Sequence, residues 1–329
     1  MRSEKPVFLK DTPQPVLNAL DQYEEFFILG HEEPDADCLC SQRVLGSWLS
    51  RRGKTVHLCS AGPWRRPEIA GWQPLFNAGI PPAAPGAKIL SVILDCSSFS
   101  RTGFPEDTLP KGPVMVIDHH ATSENFGDFR YLDPQSPSAT LLVQKLMESA
   151  GDPPTQEEAQ LLFMGFCTDT GFFRHVEPWR LGAMEGVARL VGNGASPPKT
   201  FQLLNGGRSP GSLQLLGRIL ERIEIHFNGR LALSWERPKD RRELGKERDS
   251  DMMYQLLLGI SGVEAAAVIR EQNNGTCVAG LRSLTDLDVS EIAGFFGGGG
   301  HRKAAGCAIS GDLQDAKEHL LTLFADRLK

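Results

Sequence analysis

The chain has 329 residues, of which 40% are hydrophobic and 23% are charged. This length favours two domains, and the composition is typical of chains that bury a core rather than of disordered ones. The formal net charge of −6 argues against a broad basic surface for long nucleic acid, because such binding depends on many Lys and Arg contacts to phosphates. A small anionic substrate remains compatible, since it needs only a local positive site.

The sequence carries no signal for secretion or for a membrane segment. Apolar runs stay below the roughly 18 residues that a spanning helix needs, and residues 1–10 lack an apolar signal core. The seven cysteines are scattered and form no CxxC pair, which is typical of reduced thiols and not of disulfides or a zinc-thiolate site. We therefore expect a cytoplasmic protein.

The first half of the chain alternates short apolar runs with helical periodicity. Strands are predicted at 26–30, 55–59, 89–94 and 114–117, and helices at 38–52, 138–150 and 155–166. Thr155 and Glu158 have the spacing of a capping box at the start of the last helix. This alternation predicts an α/β domain with a mostly parallel sheet covered by helices.

Gly, Ser, Pro and Asn become frequent over residues 191–212, where we place the domain boundary. The expected division is a catalytic domain at 1–196, a linker and connecting helix at 197–226, and a smaller α+β domain at 227–329. The connecting helix has a predicted apolar face made of Leu213, Leu216, Leu220 and Ile223.

Two hairpins are predicted in the second half. Asn228-Gly229 separates apolar runs at 223–227 and 230–235, and both residues tolerate the positive φ of a type I′ turn. Residues 273–275 separate the runs 263–271 and 276–282 in the same manner. A helix is expected at 312–328, and the charged stretch 236–251 is interpreted as a solvated loop.

Side chains that can bind metal follow several of the predicted elements. Four groups share this property: His31, Asp35 and Asp37; Asp95; Asp118-His119-His120; and Asp169. Taken singly, three of the groups are more typical of a turn or a helix cap, with Asp37 as an N-cap, whereas the adjacent histidines at the end of a strand are harder to explain in that way. Because neighbouring residues of an extended segment point to opposite sides, we expect at most one of the two adjacent histidines to face a given ion.

The carboxyl ends of parallel strands meet at one sheet edge, so these groups are expected to converge there. Two like charges about 4 Å apart cost about 4 kcal/mol at an effective dielectric of about 20, so several bare carboxylates would repel strongly. Two divalent ions would balance four of them in formal charge: Asp35, Asp37, Asp95 and Asp169. The joint pattern therefore predicts a two-metal site.

The motifs resemble those of the DHH phosphoesterases, in particular the branch with a DHH-associated C-terminal domain. That branch contains nanoRNase/pAp phosphatases and pApA or cyclic-di-AMP phosphodiesterases. The resemblance covers nearly the whole chain, and Ala36 stands where many relatives have Gly. The shared motifs, in family order, are His31-x-x-Pro34-Asp35-x-Asp37, Asp95, Asp118-His119-His120, Thr168-Asp169-Thr170-Gly171 and Gly297-Gly298-Gly299-Gly300-His301, with smaller matches at Ser41, Arg101 and Arg282-Ser283.

The resemblance implies roles for these residues. One ion would be held by His31, Asp35 and Asp95, and a second by Asp37, Asp95, His119 and Asp169, with Asp95 bridging. Manganese is the metal that the family usually employs. His120 would contact the scissile phosphate or the leaving oxygen, and Asp118 would orient an imidazole. The implied substrate contacts are Arg282, Ser283, Gly298, Gly299, Gly300, His301, Arg101 and Arg174.

The implied activity is hydrolysis of short oligoribonucleotides, pApA or pAp to nucleoside 5′-monophosphates by a hydroxide activated between two metals. A dedicated cyclic-di-AMP or pApA phosphodiesterase is the alternative, because both enzymes use the same motifs. A non-catalytic nucleotide sensor belongs to another class, and loss of a ligand would indicate it. No ligand position is lost here. Neither a membrane nor long nucleic acid is an expected partner, and a homodimer is left open.

Overall fold

The computed structural model describes residues 12–121, 124, 126–176, 181–245 and 247–328. The contacts within the chain divide it into two compact units, Met1–Gly206 and Gly207–Lys329. Within the part of the chain described, no helix is both long enough and apolar enough to cross a membrane. All seven cysteines are buried and free, which confirms the prediction that they form no disulfides.

The first unit contains a sheet whose described strands are β1 (Glu25–Leu29), β2 (Thr55–Cys59), β3 (Ile89–Leu94), β4 (Val114–Asp118) and β5 (Phe129–Leu132). The strands run parallel in the order β2-β1-β3-β4-β5. The helices are α1 (Gln14–Gln22), α2 (Ala36–Arg51), α3 (Pro67–Ala70), α4 (Ala139–Ser149), α5 (Gln156–Asp169), α6 (Leu181–Gly192) and α7 (Pro197–Asn205). Short 3-10 helices occur at Gln73–Leu75, Phe99–Thr102 and Glu106–Thr108.

The sequence predicted this architecture because strand and helix signals are local. Every residue of β1 is buried, as expected for a strand covered on both faces. Thr155 and Glu158 form the predicted capping box at the start of α5. The strand order changes direction at β1, since β2 lies on one side of it and β3 on the other. Open α/β sheets bind ligands at such a switch point, beyond the carboxyl ends of the strands.

The second unit is an α+β domain. Its described strands are β6 (Glu224–His226), β7 (Leu231–Glu236), β8 (Ala265–Glu271), β9 (Thr276–Ser283), β10 (Gly299–His301) and β11 (Ala304–Ser310), and its helices are α8 (Pro210–Glu221), α9 (Pro238–Leu244), α10 (Ser250–Leu258), α11 (Val289–Phe295) and α12 (Leu313–Ala325). The sheet order is β10-β11-β9-β8-β7-β6, and only the β7–β8 pair among these is parallel. Both predicted hairpins are confirmed as the antiparallel pairs β6–β7 and β8–β9.

The interpretation of residues 236–251 as a solvated loop was wrong. The segment contains α9 and the start of α10, and it buries two carboxylates, Glu236 and Asp240. Asp240 pairs with Arg222 (Nη1 to Oδ2, 2.5 Å) and with Arg218 (Nη1 to Oδ1, 3.1 Å). Part of the high charge content therefore belongs to buried ion pairs, which a count of charges cannot distinguish from exposed ones.

The predicted buried face of α8 is also partly wrong. Leu213 is 47% exposed, whereas Leu215, Leu216 and Ile219 are buried. The spacing of these three residues is also helical, and they pack with Ala266 and other residues in one hydrophobic cluster. The helix thus has two overlapping sets of apolar residues with helical spacing, and the set that contacts the sheet is the one that is buried.

Candidate metal centre

The loop after β1 carries the first group of polar residues. Asp35, and not Asp37, is the N-cap of α2: its Oδ1 accepts a hydrogen bond from the Cys38 backbone N–H at 3.0 Å. His31 Nε2 lies 3.8 Å from Asp35 Oδ1. The pKa of Asp35 is lowered to about 2, because the His31 imidazole outweighs the opposing effect of burial. The cap fixes this carboxylate beside the imidazole.

Asp37 is fully buried in the first turn of α2 and is held by the start of α4. Its Oδ2 accepts from the Ala139 N–H at 2.6 Å, and its Oδ1 accepts from the Thr140 N–H at 3.0 Å and the Thr140 hydroxyl at 2.6 Å. The partial positive charge of a helix N-terminus favours a carboxylate there. Burial and the nearby Asp95 nevertheless raise the pKa of Asp37 to about 7.

Helix α5 brings Asp169 to the same place. A Cβ at Gly165 would lie 2.5 Å from Thr140 Cγ2 and 3.0 Å from Asp37 Oδ1, so a glycine is required for this close approach. Asp169 follows one turn later on the same helix face. Burial and the charges of Asp37 and Asp95 raise the pKa of Asp169 to about 8.

Asp95 lies at the centre of the cluster, directly after β3. Its backbone has a positive φ of 54°, and its side chain is 3% exposed. Its Oδ2 is 3.7 Å from His31 Nε2, and its Oδ1 is 3.3 Å from His119 Nε2. Oδ1 is buried and receives no hydrogen bond from the described residues. The two oxygens of Asp95 therefore face two different imidazoles, as expected of a carboxylate that bridges two cations.

Asp118 ends β4 and organises the two histidines after it. Its Oδ1 accepts from the backbone N–H of His119 at 2.8 Å and of His120 at 3.3 Å, and it lies 2.7 Å from His120 Nδ1. Both rings approach Asp95, since His120 Nδ1 is 3.7 Å from Asp95 Oδ1. The expectation that the two side chains point apart was wrong, because the extended strand ends at Asp118 and its carboxylate turns the chain.

In both His31 and His119, Nδ1 lies against a backbone carbonyl and Nε2 faces the centre of the cluster. His31 Nδ1 lies 2.7 Å from the Glu32 carbonyl oxygen, and His119 Nδ1 lies 3.3 Å from the Ser136 carbonyl oxygen. A carbonyl only accepts, so Nδ1 carries a proton in both rings, and Nε2 is the nitrogen that can bind a metal in place of its own proton. His119 Nε2 is also 3.2 Å from Asp169 Oδ2. Burial lowers the pKa of His119, but the carboxylates, Asp95 foremost, outweigh it and raise the pKa to about 10.

Two cavities adjoin the cluster. The first, of about 270 Å³, is lined by His31, Asp35, Asp95, His120 and Asp169 together with Arg66 and Arg101. The second, of about 340 Å³, is lined by His119, His120, Asp169, Ser136 and His175 among others. His120 is 46% exposed and lines both. Arg174 lines neither, and its Nε donates to the Gly171 carbonyl at 2.8 Å.

Sequence reasoning missed three neighbours of the cluster. The Cys38 thiol could bind the same metal ion as His31 and Asp95, because one donor atom from each of the three residues lies within 4.8 Å of the others. Burial raises the pKa of Cys38. Arg66 and His175 reach the cavities from loops, and neither stands in a recognisable motif. Helical spacing after the Asp35 cap could have indicated Cys38, since one turn separates the two.

The predicted substrate contacts of the second unit lie at adjacent strand ends. Arg282 and Ser283 end β9, and Gly299 of β10 pairs with Gly306 of β11. A Cβ at Gly298 would clash with the Gly306 carbonyl oxygen, so the close strand approach requires glycine there. The Arg282 guanidinium lies 4.5 Å above the centre of the Tyr254 ring. His301 is exposed.

The donor set of the first unit fits divalent cations. Carboxylate and imidazole groups suit such ions, and a buried carboxylate oxygen without a hydrogen bond is unfavourable unless a cation or proton meets it. Asp95 Oδ1 is such an oxygen. The four carboxylates would balance two divalent ions in charge.

Comparison with known proteins agrees with this interpretation. The model of the DHH family, N-terminal domain, matches residues 25–166, and the model of the DHHA1 domain matches residues 243–329. The bifunctional oligoribonuclease and PAP phosphatase NrnA of Thermus thermophilus is 30% identical over 304 residues, which are 92% of this chain and 90% of that protein.

Solved structures share the fold. An exopolyphosphatase-related protein from Bacteroides fragilis has a TM-score of 0.74 at 20% identity, covering 95% of this chain and 96% of that one. The exonuclease RecJ bound to manganese has a TM-score of 0.52 at 17% identity, covering 98% and 96%. With both domain models and the NrnA relative spanning most of its length, the chain belongs to the DHH family.

Proposed function

We propose that this chain is a metal-dependent hydrolase that cleaves short oligoribonucleotides, pApA and pAp to nucleoside 5′-monophosphates. The observation that carries the proposal is Asp95, whose two oxygens face His31 and His119 from a buried position. The Thermus thermophilus relative is named as an oligoribonuclease and PAP phosphatase, and it matches this chain over most of both lengths. That name supports the same substrate class here.

The metal ligands of the proposal are those that the motifs predict. One cation would be held by His31, Asp35 and Asp95, and the other by Asp37, Asp95, His119 and Asp169. When bound, such cations neutralise phosphate charge and lower the pKa of a water molecule that can attack phosphorus. We infer Mn²⁺ as the preferred metal from the family resemblance and the oxygen and nitrogen donors.

His120 is the proposed proton donor to the leaving oxygen. Asp118 Oδ1 lies 2.7 Å from His120 Nδ1, so this contact holds a proton on Nδ1 and offers Nε2 to the cavities. The hydrogen bond with Asp118 raises the pKa of His120. A leaving alkoxide needs a proton, and a protonated imidazole beside the leaving oxygen can supply it.

Arg66 and Arg101 line the same cavity as Asp35 and Asp95. Guanidinium groups match the geometry of phosphate oxygens, so we infer that these two bind oxygens of the scissile phosphate. In the second unit, Arg282, Ser283 and the backbone N–H groups of Gly298–Gly300 would bind a second phosphate, with His301 as a further donor. Arg174 is a weaker proposal, because its Nε is already used by Gly171.

A dedicated cyclic-di-AMP or pApA phosphodiesterase is the alternative, and it uses the same residues. A non-catalytic sensor is disfavoured because all six predicted ligands are present and lie together in the first unit. We also propose a cytoplasmic location, because the seven buried cysteines are all free, as is usual in a reducing compartment.

The test is a product assay with Mn²⁺ over pAp, pApA, cyclic-di-AMP and RNA from dinucleotides to long strands. We expect AMP from pAp and pApA, and much faster cleavage of short RNA than of long RNA, since the acidic balance argues against an extended basic groove. Cleavage confined to cyclic-di-AMP and pApA would select the alternative. Absence of hydrolysis on every substrate would contradict the proposal.

A further inference from the structure

The second unit carries a basic cluster that neither the motifs nor the metal centre explains. It consists of Arg241, Arg248 and Arg270, and we call it the arginine cluster. Arg270 belongs to β8, between Glu236 on β7 and Val278 on β9 in the strand register. Alternate residues of β8 face opposite sides, and Ala266 and Val268 pack with α8 and α10. Arg270 therefore lies on the same face of the sheet as these helices.

Charges in the arginine cluster do not balance. Glu236 is 2% exposed and is the one carboxylate within 4 Å of the cluster in the described residues. It pairs with Arg241 at 2.7 Å (Nη1 to Oε1) and with Arg248 at 3.4 Å (Nη1 to Oε2). Arg270 forms no ion pair with a described residue, and its guanidinium donates no hydrogen bond to one. A half-buried guanidinium without a partner is unfavourable unless an anion reaches it.

Tyr254 connects the arginine cluster to Arg282. Its side chain is 7% exposed, and its hydroxyl lies so close above Gly280 that a Cβ there would clash with it. Arg282 stacks on the ring at 4.5 Å. Burial raises the pKa of Tyr254, and the charges of Arg282, Arg248 and Arg270 oppose that shift. One tyrosine thus has Arg282 on one side and the arginine cluster nearby.

The strand register gives the spacing between the two positive positions. Arg282 pairs with Ala266, and Arg270 stands four residues further along β8. At about 3.3 Å per residue, the two backbone positions are roughly 13 Å apart. This exceeds the size of one phosphate group. Between them Gly280 is covered by the Tyr254 hydroxyl, whereas the adjoining Gly306 and Ala308 of β11 are exposed, so the open route between the two positive positions runs along β11.

We propose that Arg270, with Arg248, binds a backbone phosphate of the oligonucleotide that is different from the phosphate bound by Arg282. The inference rests on the proposed function and refines its substrate class. In pApA, which has two phosphates, one is the scissile phosphate and the other is left for Arg282. A 5′-phosphorylated trinucleotide has a third phosphate, and only such longer substrates use Arg270.

The experiment compares the full-length protein with Arg270→Gln on pApA and on the 5′-phosphorylated trinucleotide. We expect kcat/KM for the trinucleotide to fall about tenfold, the effect of one charge-assisted hydrogen bond, and kcat/KM for pApA to stay within about twofold. Arg242→Gln is the matched control, since Arg242 is an exposed arginine of α9 in the same unit. It should leave both substrates unchanged.

Binding provides a readout that does not need turnover. In chelator, the affinity of a 3′-labelled trinucleotide should fall about tenfold in Arg270→Gln, and the slope of log affinity against log salt should shrink by about 0.7. Arg270→Lys keeps the charge and should retain the salt slope of the parent protein. This variant shows whether the effect of Arg270→Gln comes from the lost charge or from a folding defect. Equal losses on pApA and the trinucleotide, or unchanged trinucleotide binding, would overturn the inference. Binding that depends on Arg270 in a protein without hydrolysis would instead contradict the proposed function.

Discussion

Replacement of Asp118 by Asn tests how the residue after β4 supports catalysis. Asp118 Oδ1 accepts from two backbone N–H groups and lies 2.7 Å from His120 Nδ1. Asn keeps an oxygen of the same shape, so the backbone turn should persist. What is lost is the charge that supports a protonated imidazole. Hydrogen bonds to charged groups contribute about 1.5–3 kcal/mol and neutral ones about 0.5–1.5, so the expected loss is about 1–1.5 kcal/mol.

At 1.36 kcal/mol per factor of ten, kcat should fall roughly five- to thirteenfold. The assay is steady-state hydrolysis of pApA in saturating Mn²⁺, with bound metal measured on the same samples. Asp128→Asn is the matched control, because Asp128 accepts from the Val114 N–H at the opposite end of β4, at 2.8 Å. Metal content should not change in either variant. Unaltered kcat in Asp118→Asn, or loss of metal from it, would refute the positioning role of Asp118.

Three further changes have predicted outcomes. Arg282→Ala should lower kcat/KM ten- to hundredfold with metal content intact, and loss of metal would exclude a substrate role. Gly165→Ala should lower the free energy of unfolding by about 1–3 kcal/mol and weaken Mn²⁺ binding, because its methyl group pushes α5 from Asp37; unchanged thermal unfolding and metal titration would contradict this. Asp240→Asn should cost about 3 kcal/mol in urea unfolding. The Arg222 and Arg218 partners lower the pKa of Asp240. The contribution of Asp240 to the free energy of unfolding is therefore complete above about pH 3.9, the pKa of an Asp in the unfolded chain. The difference from the parent should shrink as pH falls below that value, and a constant difference would disprove the charge effect.

Local signals explain why the sequence predicted so much of the first unit. Apolar runs ending in Asp95 and Asp118 gave β3 and β4 almost to the residue, and Thr155 marked the start of α5. The convergence of the polar groups followed from one rule, that parallel strands end at a common edge. These inferences need only neighbours along the chain and the direction of the strands.

Contacts between distant segments were not predictable in the same way. Asp37 is bound by α4, more than a hundred residues later, and this contact depends on the small size of Gly165. The turn at Asp118 reversed the expected direction of one histidine, because a side-chain hydrogen bond overrode strand alternation. The buried ion pairs of Asp240 were hidden in a charged stretch. To predict each of these contacts, one would have to know which side chain or segment packs against the residue in the folded chain.

The proposed mechanism depends on Asp95, which would bridge two catalytic cations. The most direct measurement is AMP release from pApA by chelator-treated protein as Mn²⁺ is added back, for the parent chain and for Asp95→Asn. We expect no activity without metal, full activity at two ions per chain, and almost none in Asp95→Asn at any Mn²⁺ concentration. Turnover in chelator, or near-parental turnover by Asp95→Asn, would contradict it.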